Sequence, residues 1–247
     1  DNALIVVLLL DRGSRCPGHA NAVAAHHEWL RNAVPVHERG AHRFRVLRAQ
    51  LEDVPGLDAA HQAWIYAEQL KIARELDLPV LLHVRKSQDQ VAAQLRRIGV
   101  RQGIAHAFNG SVQQARGFID QGLKLGFGGN LTFSRANQIR RLAAELPLDA
   151  IVLETDAPDI APAWLSDDQF GEQHKARNTP AEVAGVARVL GELRGLDAAP
   201  LAQAMWRNSV AALPRLGAFA STMFPPALAA LPALAPAEAI GNQPVSS

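Results

Sequence analysis

Three short runs decide the fold: Pro79-Val-Leu-Leu-His83, Gly103-Ile-Ala-His106 and Ile151-Val-Leu-Glu-Thr-Asp156. Each is rich in Val, Ile and Leu, and each is too short to make a helix of ordinary length. Unbroken apolar runs of this length read as parallel strands buried on both faces. Each run also ends in a group that binds metals. In a closed α/β barrel, side chains at the carboxyl ends of the strands converge on one mouth. Two neutral imidazoles and a carboxylate there suit a divalent ion such as Zn²⁺ or Mn²⁺.

Working outward from these runs, the chain is regular from Gly56 onward. Asp58 opens a helix that runs to about Leu76, and Pro79 ends its signal. Ser87 with Gln90, Ser111 with Gln114, and Thr179 with Glu182 have the spacing of capping boxes. Gly99 and Gly122 stop two of the helices. Leu123-Lys-Leu-Gly-Phe127 is a further strand, and Gly126-Phe-Gly-Gly129 reads as a tight strand-to-loop turn. Helices follow over about 134–145, 180–194 and 200–213. Strand–helix alternation at this repeat marks βαβ units and a parallel sheet. Neither G-x-G-x-x-G nor a Walker loop occurs, so a dinucleotide-binding doubly wound sheet is disfavoured. The fold class expected is α/β, a (β/α) barrel of TIM type.

The flanks are less regular. Residues 12–56 scatter seven arginines and five histidines among Gly, Pro and Ala without a sustained period. His19, His26, His27, His37 and His42 read as surface histidines, and 44–51 as a short strand or helix. The run from Ala3 to Leu10 reads as a buried strand, being well short of the roughly 20 residues of a membrane span. A non-native segment and a signal remnant are its other readings. Residues 217–247 are rich in Ala and Pro and read as a tail, with a short docking helix over 227–235 as a lesser alternative. The expected division is therefore 1–55, 56–216 and 217–247.

Composition excludes little. The 247 residues are 48% hydrophobic, enough for a packed core, with a net charge of +1. That balance neither requires nor forbids a nucleic-acid partner. The single cysteine, Cys16, excludes a disulfide within the chain and any cysteine-based zinc cluster. A reducing, cytoplasmic setting without a membrane partner fits best.

Five motifs in order resemble the TatD family of metal-dependent deoxyribonucleases. They are the stretch Gln69 to Arg85 with its His83, Ala105-His-Ala-Phe-Asn-Gly-Ser111, Lys124-Leu-Gly-Phe-Gly-Gly129, Leu153-Glu-Thr-Asp-Ala-Pro158 and Arg177-Asn-Thr-Pro180. The resemblance implies a barrel of the metallo-dependent hydrolase group, with one or two divalent ions (Mg, Mn or Zn) at its mouth. It implies hydrolysis of DNA phosphodiesters from 3′ to 5′. Carried over position by position, it makes His83, His106 and Asp156 metal ligands, with Asp156 also taking a proton from the attacking water. Glu154, Arg177 and Asn178 would support the mouth, and Arg85, Asn109 and Lys124 would contact phosphate.

The same family carries an H-x-H strand and a Glu-Ile-Gly-Leu-Asp type strand, and neither is present here. Arg48-Ala-Gln-Leu-Glu-Asp-Val-Pro55 stands where the second belongs. Units of about 30 residues would need about 120 positions before Pro79 to hold four of them, and only 78 precede it. The expectation is a front that is truncated or read in a shifted frame, with the pattern resuming near Pro55. At most one ion is then expected, and self-association would cover the open barrel. Two other functions stay open: a catalytically inactive partial barrel serving as an interaction module, and an amidohydrolase-type enzyme acting on a small amide or lactone.

Overall fold

The computed structural model describes residues 47–52, 59–165 and 177–217, without the side chains of 47–52 and Arg85. Residues 1–46, 53–58, 166–176 and 218–247 lie outside it, and with them the expectations for Ala3 to Leu10, for the five early histidines and for the tail. Five strands are described: β1 Leu47–Glu52, β2 Val80–Arg85, β3 Gly103–His106, β4 Lys124–Phe127 and β5 Ile151–Leu153. All pair in parallel, in the order β1-β2-β3-β4-β5. A doubly wound sheet reverses direction at a switch point. This one advances one strand at a time, as a barrel does.

The register sorts every side chain onto one of two faces. Leu82 lies beside Ala105, His83 beside His106, Leu125 beside Ile151 and Gly126 beside Val152. Val80, Leu82, Ala105, Leu125, Ile151 and Leu153 therefore share the outer face and join the main core beneath the helices. Leu81, Ile104 and Val152 share the inner face. Trp206 and Ala212 of the helix Ala198–Ala212, with Leu213 and Leu216 just after it, pack against them. Both faces are buried, which is why the strands read as unbroken apolar runs.

The helices follow their sequence signals. α1 (Ala59–Glu75) buries Tyr66, Leu70 and Ala73 along one stripe. α2 (Gln88–Ile98) buries Val91, Ala92, Leu95 and Ile98 and ends at Gly99 in the left-handed region. α3 (Val112–Ile119) starts at a true capping box. The Gln114 N–H donates to Ser111 Oγ at 3.1 Å, and the Ser111 N–H donates to Gln114 Oε1 at 2.9 Å. The other two expected boxes do not form. Ser87 and Thr179 stand at helix starts, but neither makes the side-chain capping bond. Thr179 leads instead into a turn of 3₁₀ helix, Pro180–Glu182, before α5 (Val183–Arg194).

Two polar side chains tie the layers together. Arg194 closes α5 by donating to Ala143 O (2.6 Å) and Leu146 O (2.5 Å), near the end of α4 (Asn137–Glu145). Its burial lowers its pKa below the usual guanidinium value. On α6 (Ala198–Ala212), Asn208 donates at 2.7 Å to both Leu148 O and Ile151 O, fixing that helix to the start of β5. β1 is the element the sequence left undecided between strand and helix, and it makes the fifth strand. Among the described residues, no helix is long and apolar enough to cross a membrane.

Candidate active site

His83 and His106 are register partners near the carboxyl ends of β2 and β3, so the paired backbones bring their rings together. His83 Nδ1 lies 2.8 Å from His106 Nε2, and the ring centroids are 5.1 Å apart. The opposite nitrogen of His106, Nδ1, lies 3.4 Å from Glu154 Oε1. A carboxylate only accepts, so Nδ1 is the His106 nitrogen that can donate toward Glu154, and Nε2 is the one that faces His83. The 2.8 Å gap is a hydrogen bond between the two rings, with the donor set by their tautomers.

Glu154 follows β5 directly and is 3% exposed. The Ala107 N–H donates to its Oε1 at 2.5 Å. Room for the carboxylate comes from β4: a Cβ on Gly126 would stand 2.3 Å from Glu154 Oε2. The glycine-rich stretch thus turns the chain, as expected, and also makes space for the acid. Gly129 is bare because a Cβ there would meet Ile160 O at 2.2 Å.

Asp156 is buried, at φ 51°, on the loop leaving β5. Asn178, 2% exposed, holds that loop by donating to Thr155 O at 2.7 Å and to Asp159 O at 2.6 Å. Asp156 and Glu154 line a small cavity with Ala107, Phe127 and Gly128.

The remaining expected residues are spread more widely. Arg85 closes β2, and its side chain is outside the described set. Asn109 is exposed on the loop after β3, and Arg177 is exposed beside Asn178. Lys124 opens β4 at its amino end, about 10 Å of strand from the carboxyl end. The tie from Ala107 N–H to Glu154 was not read from the sequence. Gly126 was its only written trace.

As a metal set, the imidazole pair fits. Two ligands held 2.0–2.1 Å from one tetrahedral ion stand about 3.3 Å apart, so the 2.8 Å gap would open by roughly half an ångström to take one. Among the described residues, however, no three His, Cys, Asp or Glu side chains are gathered around one ion-sized space. Asp156 is placed at the same end of the sheet but not in one group with the histidines.

A parallel α/β sheet that advances one strand at a time, with imidazoles and carboxylates at its carboxyl strand ends, is the architecture of a TIM-type barrel. The chain belongs to the TatD family: the family model described as TatD related DNase matches residues 51–214. It is 44% identical over 149 residues to the uncharacterized metal-dependent hydrolase YjjV of Escherichia coli K12, covering 60% of this chain and 54% of that protein. The crystal structure of YjjV, a TatD homologue, superposes with a TM-score of 0.59 at 38% identity, covering 67% of this chain and 62% of the other. A 3′-5′ ssDNA/RNA exonuclease TatD from Erwinia tasmaniensis is 31% identical over 148 residues, which is 59% of this chain and 56% of that protein. The chain spans about half the length of the curated relatives it matches.

Proposed function

We propose that this chain is a divalent-metal-dependent phosphodiesterase that removes nucleotides from the 3′ end of DNA. The observation that carries the proposal is the His83–His106 pair, 2.8 Å apart at the carboxyl strand ends. These two imidazoles would hold one ion, Mg, Mn or Zn. Such an ion, when bound, lowers the pKa of water and offsets charge on phosphoryl oxygens. The residues of the chain itself do the rest. Glu154 fixes the His106 ring by its Nδ1 side. For both rings to turn lone pairs toward one ion, His83 would take the tautomer with its proton on Nε2 and His106 the one with its proton on Nδ1. Asp156, presented by the loop that Asn178 holds, accepts the proton of the attacking water. The name of the Erwinia relative supports a nucleic-acid substrate.

A non-catalytic reading also has an observation behind it, since no three-ligand group is gathered among the described residues. Titration calorimetry with Mn²⁺ or Zn²⁺ and a 3′-labelled oligonucleotide assay separate the two. The enzyme reading expects one ion bound per chain, at least about tenfold weaker binding in His83→Ala, and product that disappears in that variant. Metal binding with no product favours the non-catalytic reading. Turnover of a lactone but not of DNA favours the small-substrate amidohydrolase.

A further inference from the structure

Asp156 is carried on a loop whose backbone is strained at two places. Asp156 itself stands at φ 51° and Ile160 at φ 48°, in the left-handed region that a β-branched residue rarely enters. Such angles persist only where surrounding contacts over-determine them. Asn178 holds the near half of the loop through Thr155 O and Asp159 O. The far half, up to the 3₁₀ turn Ala163–Leu165, is held by other groups.

The first is Thr132, which ends the 3₁₀ turn Gly129–Thr132 after β4. Its hydroxyl donates to Gly129 O at 2.6 Å and accepts from the Ala163 N–H at 2.7 Å, 31 residues further on. One oxygen therefore closes its own turn and ties the loop to it. The turn is a firm anchor, since Leu131 is fully buried and Arg140 Nη1 donates to Leu131 O at 3.2 Å. The second group is Trp164, whose ring is exposed yet fixed. Its Nε1–H donates to Glu182 Oε2 at 2.7 Å, and the ring lies over Gly185, where a Cβ would run into it. The loop is thus gripped between the turn after β4 on one side and the start of α5 on the other.

We infer that Thr132 and Trp164 are positioning residues, a clasp that keeps the Asp156 carboxylate in its working place. The catalytic consequence rests on the hydrolytic reading above. The clasp itself rests on the bonds to Ala163 and Glu182. Valine has the outline of threonine without the hydroxyl, so Thr132→Val leaves the Ala163 N–H without its acceptor.

The test reads the loop and the chemistry separately, on the full chain. Hydrogen exchange of the segment 156–165, followed by mass spectrometry, reads the loop. Hydrolysis of bis(p-nitrophenyl) phosphate with Mn²⁺ reads the chemistry through kcat and KM. Thr132→Val is expected to speed exchange of the segment about 2- to 10-fold, the equivalent of one ordinary hydrogen bond. It should lower kcat about 10- to 100-fold with KM changed less than about twofold, as a misplaced catalytic group does. Thr132→Ser keeps the hydroxyl and should restore both. Trp164→Phe keeps a ring without the N–H, and it should speed the same exchange and lower kcat in the same direction. Because Trp164 is exposed, this variant carries the test should Thr132→Val fail to fold. Asn208→Ala weakens the fold at the opposite end of β5 and should leave kcat within about twofold. Exchange unchanged in both clasp variants overturns the clasp. Faster exchange with kcat intact, or an equal loss of kcat in Asn208→Ala, overturns the positioning role. A wild-type chain that hydrolyses nothing while its loop responds as expected overturns the hydrolytic reading and leaves the clasp standing.

Discussion

Gly126→Ala puts one methyl group where the Glu154 carboxylate lies. The added Cβ would stand 2.3 Å from Oε2, 2.7 Å from Cδ and 3.0 Å from Oε1. An exposed glutamate would swing aside at little cost. This one is 3% exposed, accepts from the Ala107 N–H and faces His106 Nδ1. Moving it breaks a hydrogen bond to a charged acceptor, about 1.5–3 kcal/mol, in addition to about 1–3 kcal/mol of overpacking. The expected destabilisation is about 3–5 kcal/mol, a large fraction of the roughly 5–15 kcal/mol that holds a domain together. Urea unfolding followed by circular dichroism measures it. A double-mutant cycle locates the cause: in a Glu154→Ala background the methyl group has room, so most of the Gly126→Ala effect should vanish. Additive effects, or a Gly126→Ala change below about 0.5 kcal/mol, would refute the claim that this glycine exists to seat the acid.

Other perturbations test the frame. The Tyr66 hydroxyl is fully buried with no hydrogen-bond partner among the described residues, and burial pushes its pKa far above the ordinary value of 10. The unfolded chain releases that proton above about pH 10 while the folded chain keeps it, so stability should fall as pH rises past that point. Tyr66→Phe should flatten this alkaline loss in denaturation curves and be neutral or stabilising by about 1 kcal/mol at pH 7. Asn208→Ala removes two 2.7 Å bonds, from Leu148 O, which keeps the Ile151 N–H, and from Ile151 O, so a loss of about 2–3 kcal/mol is expected from the unfolding midpoint. Ser111→Ala should lower stability by about 0.5–2 kcal/mol in the same measurement, because its capping bond is real.

The barrel-type architecture was legible because burial on both faces writes itself as unbroken apolar runs. His83 and His106 stood out because a polar group ending such a run breaks its pattern. The limits of legibility were also physical. Ser87 and Ser111 share a spacing, but only backbone geometry decides whether a hydroxyl reaches the N–H three residues on. Lys124 sits in a motif beside the site in sequence, yet it belongs to the opposite end of its strand. The seat for Glu154 could not be read locally, since Gly126, Ala107 and the acid meet only through the pairing of β3, β4 and β5.

The direct partnership of His83 and His106 in the ladder has a consequence for how such a protein changes over time. Their spacing is set by main-chain pairing, which is indifferent to side-chain identity elsewhere. The connecting loops can lengthen, shorten or exchange residues without altering the bite of the two rings. What those loops contact is therefore free to drift around a pair of rings whose dimensions are inherited from the backbone itself.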